Sequence, residues 1–309
     1  MQIKRSPNPK AVKAARNLKI SSLVPAGNAQ HDGADQALAL KKSAKSDKKK
    51  KGQQLVLLTK ACRYAVVKKV CRKSGFEFSA EASGDWDLCW SDVVVHAEQV
   101  SKMLPHQRIN AHPGMAALAA KNNLARSLSR MARVFKDDFN FAPQTWVLPQ
   151  DQFKLQDEFS RKKRKTFIVK PVHDCQGRGI YLAKRFEDID LSSGDQYVAQ
   201  RYMSKPYLIE GLKFDLRVYV LIYGVDPLRV FMFQEGLARF ATEAYTAPKK
   251  KNLNNLFMHL TNYAINKQSG NFVKSRGVED EEGSKRSLTT VLDYMEANEE
   301  GFDREDMME

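Results

Sequence analysis

Three charged side chains of alternating sign open the most regular strand pattern in this sequence. In the segment 213–223, Lys213, Asp215 and Arg217 share one face, because side chains of a strand alternate between its two faces. The opposite face, from Phe214 to Ile222, is apolar throughout. The β-branched and aromatic residues predict a single strand that lies deep in a sheet. The three charges then need partners, because an unpaired buried charge is costly.

Two interpretations of this charged face remain open. In the first, Lys213, Asp215 and Arg217 pair with one another on a solvated sheet face, which is the commoner arrangement for an arbitrary strand. In the second, a polar ligand lies on that face, such as a nucleotide with its metal ion. Only the rest of the chain distinguishes the two.

A hairpin with a glycine-containing tip is predicted upstream. A strand that ends at Lys170 leads through 171–179 into a second strand that begins at Ile180. The backbone N–H groups of such a tip are suited to binding phosphate, and Arg178 adds charge. A Gly-x-Gly turn usually only reverses the chain, so its position after Lys170 is what favours a phosphate site.

The surrounding pattern predicts an α/β protein. Strand, helix and strand patterns succeed one another over 55–90, which indicates an α/β module. The proline-bounded segment 141–149 is a natural domain crossing, and Asp226-Pro227 predicts a turn that pairs 213–223 with 229–233 as antiparallel strands.

Composition points to an acidic partner. The net charge of +15 divides into +10 over 1–52, +14 over 53–277 and −9 over 278–309. A basic body suits nucleic acid, acidic lipid or an acidic polypeptide. Nucleic acid is disfavoured, since no aromatic-and-basic platform or recognised reading motif is present. No membrane partner is expected, because no apolar run approaches the ~20 residues of a membrane helix. The four cysteines lack a C-x-x-C pair, which indicates free thiols. The six histidines are scattered and do not indicate a metal site.

Longer motifs resemble one family. They are spread over residues 54–296: RINAHPGM (108–115), NLARSLSRM (123–131), KPVHDCQGRGI (170–180), SKPYLIEGLKFDLRVYVL (204–221), DPLRVFMFQEGLARFAT (226–242), MHLTNYAINK (258–267) and GSKRSL (283–288). In their sequence and their order, these motifs are similar to the tubulin tyrosine ligase-like enzymes, in particular their polyglutamylase branch.

The resemblance implies an ATP-grasp architecture and a ligase. The expected order is a disordered basic tail over 1–52, an N-terminal α/β domain over 53–148, a central ATP-grasp domain with a phosphate lid over 149–205, and an incomplete C-terminal ATP-grasp domain over 206–309. The implied reaction uses ATP and Mg²⁺ to turn a side-chain carboxylate of a tubulin tail into an acyl phosphate, which free L-glutamate attacks. The implied location is the cytoplasm and cytoskeleton, including the cilium, flagellum or basal body.

The resemblance also implies roles for single residues. Lys213 and Arg217 would be catalytic, at the phosphate and at the reacting or phosphoryl oxygens. The other implied ATP contacts are Lys170, the lid Gln176, Gly177, Arg178 and Gly179, the adenine hinge Gln200, Arg201, Tyr202 and Met203, Asp215 at the ribose, and Thr261 with Asn262. The implied glutamate-binding residues are Arg239, Tyr263 and Lys285.

Two implications concern the end of the chain and the alternatives. The resemblance places the Mg²⁺ ligands beyond Glu309, so no metal ligand is expected here and the module is expected to be truncated and impaired or inactive. The alternatives are a non-catalytic microtubule- or polyanion-binding relative, and a tubulin glycine ligase.

Overall fold

The computed structural model describes residues 54–81, 84–161, 165–277 and 280–308, and the predicted disordered tail lies outside these ranges. The chain divides into two compact units on either side of the Asn123–Leu124 bond. The predicted boundaries at 148/149 and 205/206 both fall inside the second unit and stay predictions. Across the described ranges, no helix is both long enough and apolar enough to cross a membrane.

The first unit is built on a parallel sheet. Its four strands lie in the order β2-β1-β3-β4, with Leu58, Trp86 and Cys89 in the core. The predicted strand–helix–strand module is therefore confirmed. The cysteines are all free thiols. The elements are β1 (Val56–Leu58), α1 (Ala65–Lys73), β2 (Glu77–Ser79), β3 (Leu88–Cys89), α2 (Ala97–Ser101), β4 (Arg108–Ile109) and α3 (Ala116–Ala119).

An antiparallel sheet opens the second unit, with strand order β5-β8-β6-β7. Leu148, Leu155 and Phe167 are fully buried in its core, and Trp146 meets Phe167 edge-on at 5.6 Å between ring centroids. The predicted hairpin is confirmed, since β6 pairs antiparallel with β7. The elements are α4 (Lys121–Val134), whose first three residues belong to the first unit, β5 (Thr145–Leu148), α5 (Gln152–Ser160), β6 (Phe167–Pro171), β7 (Tyr181–Ala183) and β8 (Tyr197–Arg201).

A second sheet carries the charged strand, in the order β14-β13-β10-β9. Val291 of helix α8 packs against Ile209 and Phe240 to form its core. The elements are β9 (Leu208–Ile209), β10 (Leu212–Arg217), β11 (Val220–Val225), β12 (Leu228–Met232), β13 (Leu237–Phe240), α6 (Leu256–His259), α7 (Tyr263–Asn266), β14 (Lys285–Ser287), α8 (Leu288–Asn298) and α9 (Arg304–Met308).

The prediction of one buried strand over 213–223 is wrong. The segment forms two strands, because β10 ends at Arg217 and β11 pairs with β12 in a separate hairpin. Val220 and Leu221 are 56% and 59% exposed, so the hairpin is not deep in a sheet. Alternation predicts a strand, but burial depends on what packs against it. The antiparallel pairing around Asp226-Pro227 is confirmed.

A buried carboxylate on α5 holds three cations. Glu158 is 5% exposed, and its oxygens contact Lys165, Arg161 at 3.0 Å and Arg201 at 3.7 Å. We expect Glu158→Ala to lower the free energy of unfolding by about 3 kcal/mol, because the neighbouring cations lose their buried counter-charge. Asp157→Ala is the matched control, since its 3.2 Å pair with Arg161 is exposed and should matter by less than about 0.5 kcal/mol. Urea unfolding measures both, and equal losses would contradict this assignment.

Candidate functional site

Three strands bring opposite charges into one row. Asp215 on β10 is in register with Arg239 on β13, which is in register with Lys285 on β14. Arg239 Nε donates to Asp215 Oδ1 at 2.9 Å, and Nη2 donates to the other carboxylate oxygen. The bond to Asp215 raises the pKa of Arg239, so this guanidinium stays charged. Pairing of Asp215 within its own strand, the first interpretation, is therefore wrong.

The row ends on an aromatic ring. Lys285 Nζ lies 4.3 Å from the centroid of Tyr263, a cation–π distance. Tyr263 begins α7 and is itself braced edge-on by Phe272 at 5.7 Å. The structure thus brings together Arg239, Lys285 and Tyr263, the three side chains that the resemblance assigns to glutamate.

Lys213 lies two residues before Asp215 on β10. Its side chain is half-buried and forms no ion pair among the described residues. Its Nζ donates to Tyr202 Oη at 3.0 Å and to the His259 carbonyl at 2.8 Å. Burial lowers the pKa of Lys213 to about 8, with Asp215 raising it and the nearby Lys170 lowering it further. The ammonium is therefore charged at neutral pH but easily neutralised.

A buried tyrosine–histidine pair fixes the position of Lys213. His259 is fully buried, and its Nε2 lies 3.0 Å from the Asn252 carbonyl, which can only accept. Nδ1 is then the acceptor for the Tyr202 hydroxyl at 3.1 Å, which leaves the tyrosine oxygen to accept from Lys213. Burial lowers the pKa of His259 and keeps the imidazole neutral, although the bond to Asn252 opposes this shift.

Lys170 and the predicted adenine hinge lie on the adjoining sheet of the same unit. Lys170 Nζ donates to Gln200 Oε1 at 2.9 Å. The backbone N–H groups of Arg201 and Tyr202 already donate to Gln144 and Thr166. Among the described residues, only Met203 of the hinge keeps an unbonded N–H next to an exposed backbone turn. Any reading of a base edge by hinge N–H groups therefore falls to Met203.

The lid tip adopts a backbone suited to glycine. Gln176, Gly177 and Gly179 have φ of 61°, 89° and 64°. A Cβ on Gly177 would lie 2.6 Å from Ile265 Cδ1 and 3.0 Å from Asn262 Cγ, so the tip packs closely on the start of α7. Asn262 therefore touches the lid. Arg178 stays exposed, with a 3.6 Å pair to Asp174.

Thr261 and Asn262 are held by a neighbour that sequence reasoning missed. Asn266 is 1% exposed, and its amide donates to the carbonyls of Leu260 at 2.8 Å and Asn262 at 3.2 Å. Its oxygen accepts from the backbone and hydroxyl of Thr242. Asn266 thus fixes the loop that presents Thr261, which is buried, and Asn262.

Arg217 is the available cation of the strand. It is the last residue of β10 and is exposed, and its guanidinium forms no ion pair within the described ranges. Alternation places it on the same face as Lys213 and Asp215.

Comparison with known sequences now identifies the family. A sequence model of the tubulin-tyrosine ligase family matches residues 99–309. The chain belongs to the tubulin-tyrosine ligase family. The resemblance seen in the motifs is confirmed, and the mixed α/β architecture is consistent with the ATP-grasp-like fold class predicted for this family.

Several relatives of this family member carry polyglutamylase names. A "Probable beta-tubulin polyglutamylase" of Tetrahymena thermophila is 49% identical over 252 residues, which cover 80% of this chain and 21% of the relative. Mouse "Tubulin polyglutamylase TTLL6" is 45% identical over 258 residues, covering 84% of this chain and 30% of the relative. Human "Tubulin polyglutamylase TTLL7" is 37% identical over 256 residues, covering 82% and 28%. The chain thus spans less than a third of each relative's length.

The described part of this family member does not offer a magnesium site. No group of three or more His, Cys, Asp or Glu side chains in these ranges is placed to hold a metal ion. Both oxygens of Asp215 already bind Arg239. The described residues therefore do not fit Mg²⁺.

The sequence missed the side chains that brace the site of this ligase-family chain. Tyr202 was predicted only as part of the adenine hinge, whereas in the structure its hydroxyl also accepts a hydrogen bond from Lys213. His259 had one usable signal, since it stands two residues before Thr261 in a long motif of the family.

Proposed function

We propose that this chain carries the ATP- and glutamate-binding wall of a tubulin polyglutamylase, a ligase that joins free L-glutamate to side-chain carboxylates of acidic tubulin tails. The observation that carries the proposal is the placement of Lys213 beside the Asp215–Arg239–Lys285 row on one sheet. ATP supplies the phosphoryl group that activates the acceptor carboxylate. The family and the printed names of the relatives support this proposal. We further propose that the protein acts at the cytoskeleton, including cilia or basal bodies.

At the nucleotide end, the chain's own residues bind and orient anions. Lys213 is desolvated, so its attraction to a phosphate is stronger than that of a solvated lysine. The Gln176–Gly179 tip offers backbone N–H groups beside Asn262, and Met203 offers its N–H to a base. Arg217 is placed to stabilise charge at the reacting oxygens.

The donor end favours glutamate over glycine. Glutamate carries two carboxylates, and the row provides two cations, Arg239 and Lys285, in register on neighbouring strands. Arg239 is oriented by Asp215, which leaves its remaining N–H groups for a carboxylate. The Tyr263 ring beside Lys285 offers an apolar surface for methylene groups. A glycine donor has only one carboxylate, so the second cation would have no carboxylate to bind.

A non-catalytic microtubule- or polyanion-binding role is the second candidate, favoured by the +14 charge of residues 53–277. Incubation with microtubules, ATP, Mg²⁺ and tritiated glutamate separates the two. We expect a C-terminally extended version of this chain to label tubulin, with no label when the acidic tails are removed by limited proteolysis and less label from tritiated glycine. Salt-sensitive microtubule binding without any incorporation would instead establish the second candidate.

The lid offers a local prediction. Gly177→Ala places a Cβ 2.6 Å from Ile265 at a φ of 89°, so we expect ATP affinity to fall about tenfold as the tip is displaced. Gly194→Ala is the control, because its φ is 71° but nothing lies within 4 Å of the added Cβ. That variant should share the backbone cost in thermal unfolding and keep ATP affinity. Equal ATP affinities for the two variants would show that the lid tip does not contribute to ATP binding.

A further inference from the structure

A basic groove runs between α4 and the outer edge of β5. It encloses about 690 Å³ and is separate from the charged row, which lies on the other sheet of the second unit. One carboxylate, Asp151, lines it. Four cations line it: Arg126, Arg130, Arg133 and Lys154.

Three of these cations form a stripe along the helix. Arg126, Arg130 and Arg133 stand at i, i+4 and i+7, which places them on one face of α4. All three are exposed, and within the described ranges none forms an ion pair. Arg130 and Arg126 are about 6 Å apart along the helix axis, close to the ~7 Å between alternate side chains of an extended peptide.

The opposite side of the groove is a sheet edge. β5 is the outermost strand of its sheet, and Val147 uses its outward N–H and C=O to bond Asp151 at 3.1 and 2.8 Å. The backbone N–H and C=O of Thr145, two residues before Val147, point outward from the same sheet edge. They form no hydrogen bond with any group in the described part of the chain. An extended segment can pair there.

The groove also adjoins the nucleotide end. The Thr145 hydroxyl accepts from Gln200 at 2.9 Å, and Gln200 in turn accepts from Lys170. Gln144 also lines the groove, and its carbonyl, which points into the sheet, accepts from the hinge N–H of Arg201. A chain lying in the groove therefore runs beside the strand that supports Lys170.

We propose that this groove binds an extended, glutamate-rich segment of the protein substrate, with alternate carboxylates on the α4 arginines and a backbone pair at Thr145. The inference rests on the proposed function and names where the acidic tail is held. Arginine forks suit carboxylates, and an extended peptide uses both the stripe and the edge. A nucleic acid would use the charges but not the strand edge, and it would find a single aromatic side chain, Trp146, in the lining.

The test is equilibrium binding of a fluorescein-labelled octaglutamate peptide, without ATP or glutamate. We expect salt-sensitive binding that weakens about tenfold in R126Q/R130Q/R133Q. The matched control K249Q/K250Q/K251Q removes the same charge from an exposed 3₁₀ turn and should change affinity by less than about twofold. Arg130→Gln alone, a change at an exposed side chain, should show a smaller loss in the same direction.

Three outcomes would overturn the inference. They are equal losses in both triple variants, no loss in the groove variant, and equally weakened binding of a single-stranded RNA decamer, which would indicate a general polyanion surface. Failure here is distinguishable from failure of the proposed function. If the wild-type protein ligates glutamate but the groove variant binds the peptide normally, only the proposed peptide site in the groove is wrong. If the peptide binds through the groove but glutamate is never ligated, only the proposed ligase function is wrong.

Discussion

Replacing Lys213 with alanine should weaken ATP binding by about 30- to 100-fold, the range expected when a charge-assisted hydrogen bond to phosphate is lost in a desolvated site. Lys213 is held by Tyr202 and by the His259 carbonyl, so its nitrogen is already in place before the ligand arrives. Because this preorganisation is built into the fold, little ordering cost offsets its contact with the nucleotide. A fluorescent ATP analogue, titrated at neutral pH, measures the change.

Two further variants make the Lys213 result interpretable. Lys213→Met keeps the apolar stem and should lose ATP affinity to a similar extent while folding normally, because it replaces a buried charge with a side chain of similar volume. Lys205→Ala removes an exposed lysine from the same stretch of chain and should leave ATP affinity unchanged. If Lys213→Met bound ATP within twofold of the wild type, Lys213 would have no place in a nucleotide site.

Replacing Arg239 with alanine should reduce glutamate binding by at least about 30-fold, because the substitution removes a bidentate carboxylate partner. It also leaves the half-exposed Asp215 without its counter-charge, which places an uncompensated carboxylate where the substrate's own carboxylate has to lie. Isothermal titration with glutamate in the presence of ATP measures the loss. Arg239→Lys should recover part of the affinity, since it keeps the charge but not the fork.

The control for Arg239 is a surface pair of similar geometry. Arg185 binds Asp188 through Nε and Nη2, but its side chain is 72% exposed and it lies in the turn that follows β7, outside the sheet that carries Arg239. Arg185→Ala should leave both glutamate binding and thermal stability essentially unchanged, because water screens an exposed ion pair. Unchanged glutamate affinity in Arg239→Ala would remove Arg239 from the donor site and favour the non-catalytic candidate.

The local features of the site were predictable because residues that are close together in the sequence determine them. The hairpin around 171–179 follows from two strand patterns and a glycine turn, and its tip has the left-handed backbone that glycine permits. The antiparallel pair around Asp226-Pro227 follows from turn chemistry. In both cases the turn residues and the flanking alternation lie within about ten positions of each other.

The partners of the charges were not predictable, because they come from distant parts of the chain. Asp215 pairs with Arg239, 24 positions away, and Lys213 bonds the carbonyl of His259, 46 positions away. Strand alternation gives the face of a side chain but not the neighbouring strand or its register. The motif resemblance named Arg239 and Lys285, yet only the sheet shows them in register with Asp215.

Burial was the weakest prediction, since it depends on tertiary packing. The apolar face of 213–223 predicted a deep strand, but half of it lies in the exposed β11–β12 hairpin. Conversely, Glu158, His259 and Asn266 are polar residues that local patterns place at the surface. Each of the three has a polar partner from a distant part of the chain, namely Arg201, Tyr202 and Thr242 respectively.

The most direct test of the nucleotide site is the ATP affinity of the wild-type chain between pH 6.5 and 9.5. Burial lowers the pKa of Lys213 to about 8, and the anionic ligand favours the charged lysine. The full contribution of Lys213 is therefore present below pH 8 and is lost as the ammonium is neutralised above it. We predict a nearly constant affinity up to about pH 8 and a decline of up to about tenfold per pH unit beyond it, with Lys213→Met weaker and flat throughout. A flat wild-type profile, or a decline that persists in Lys213→Met, would contradict the account.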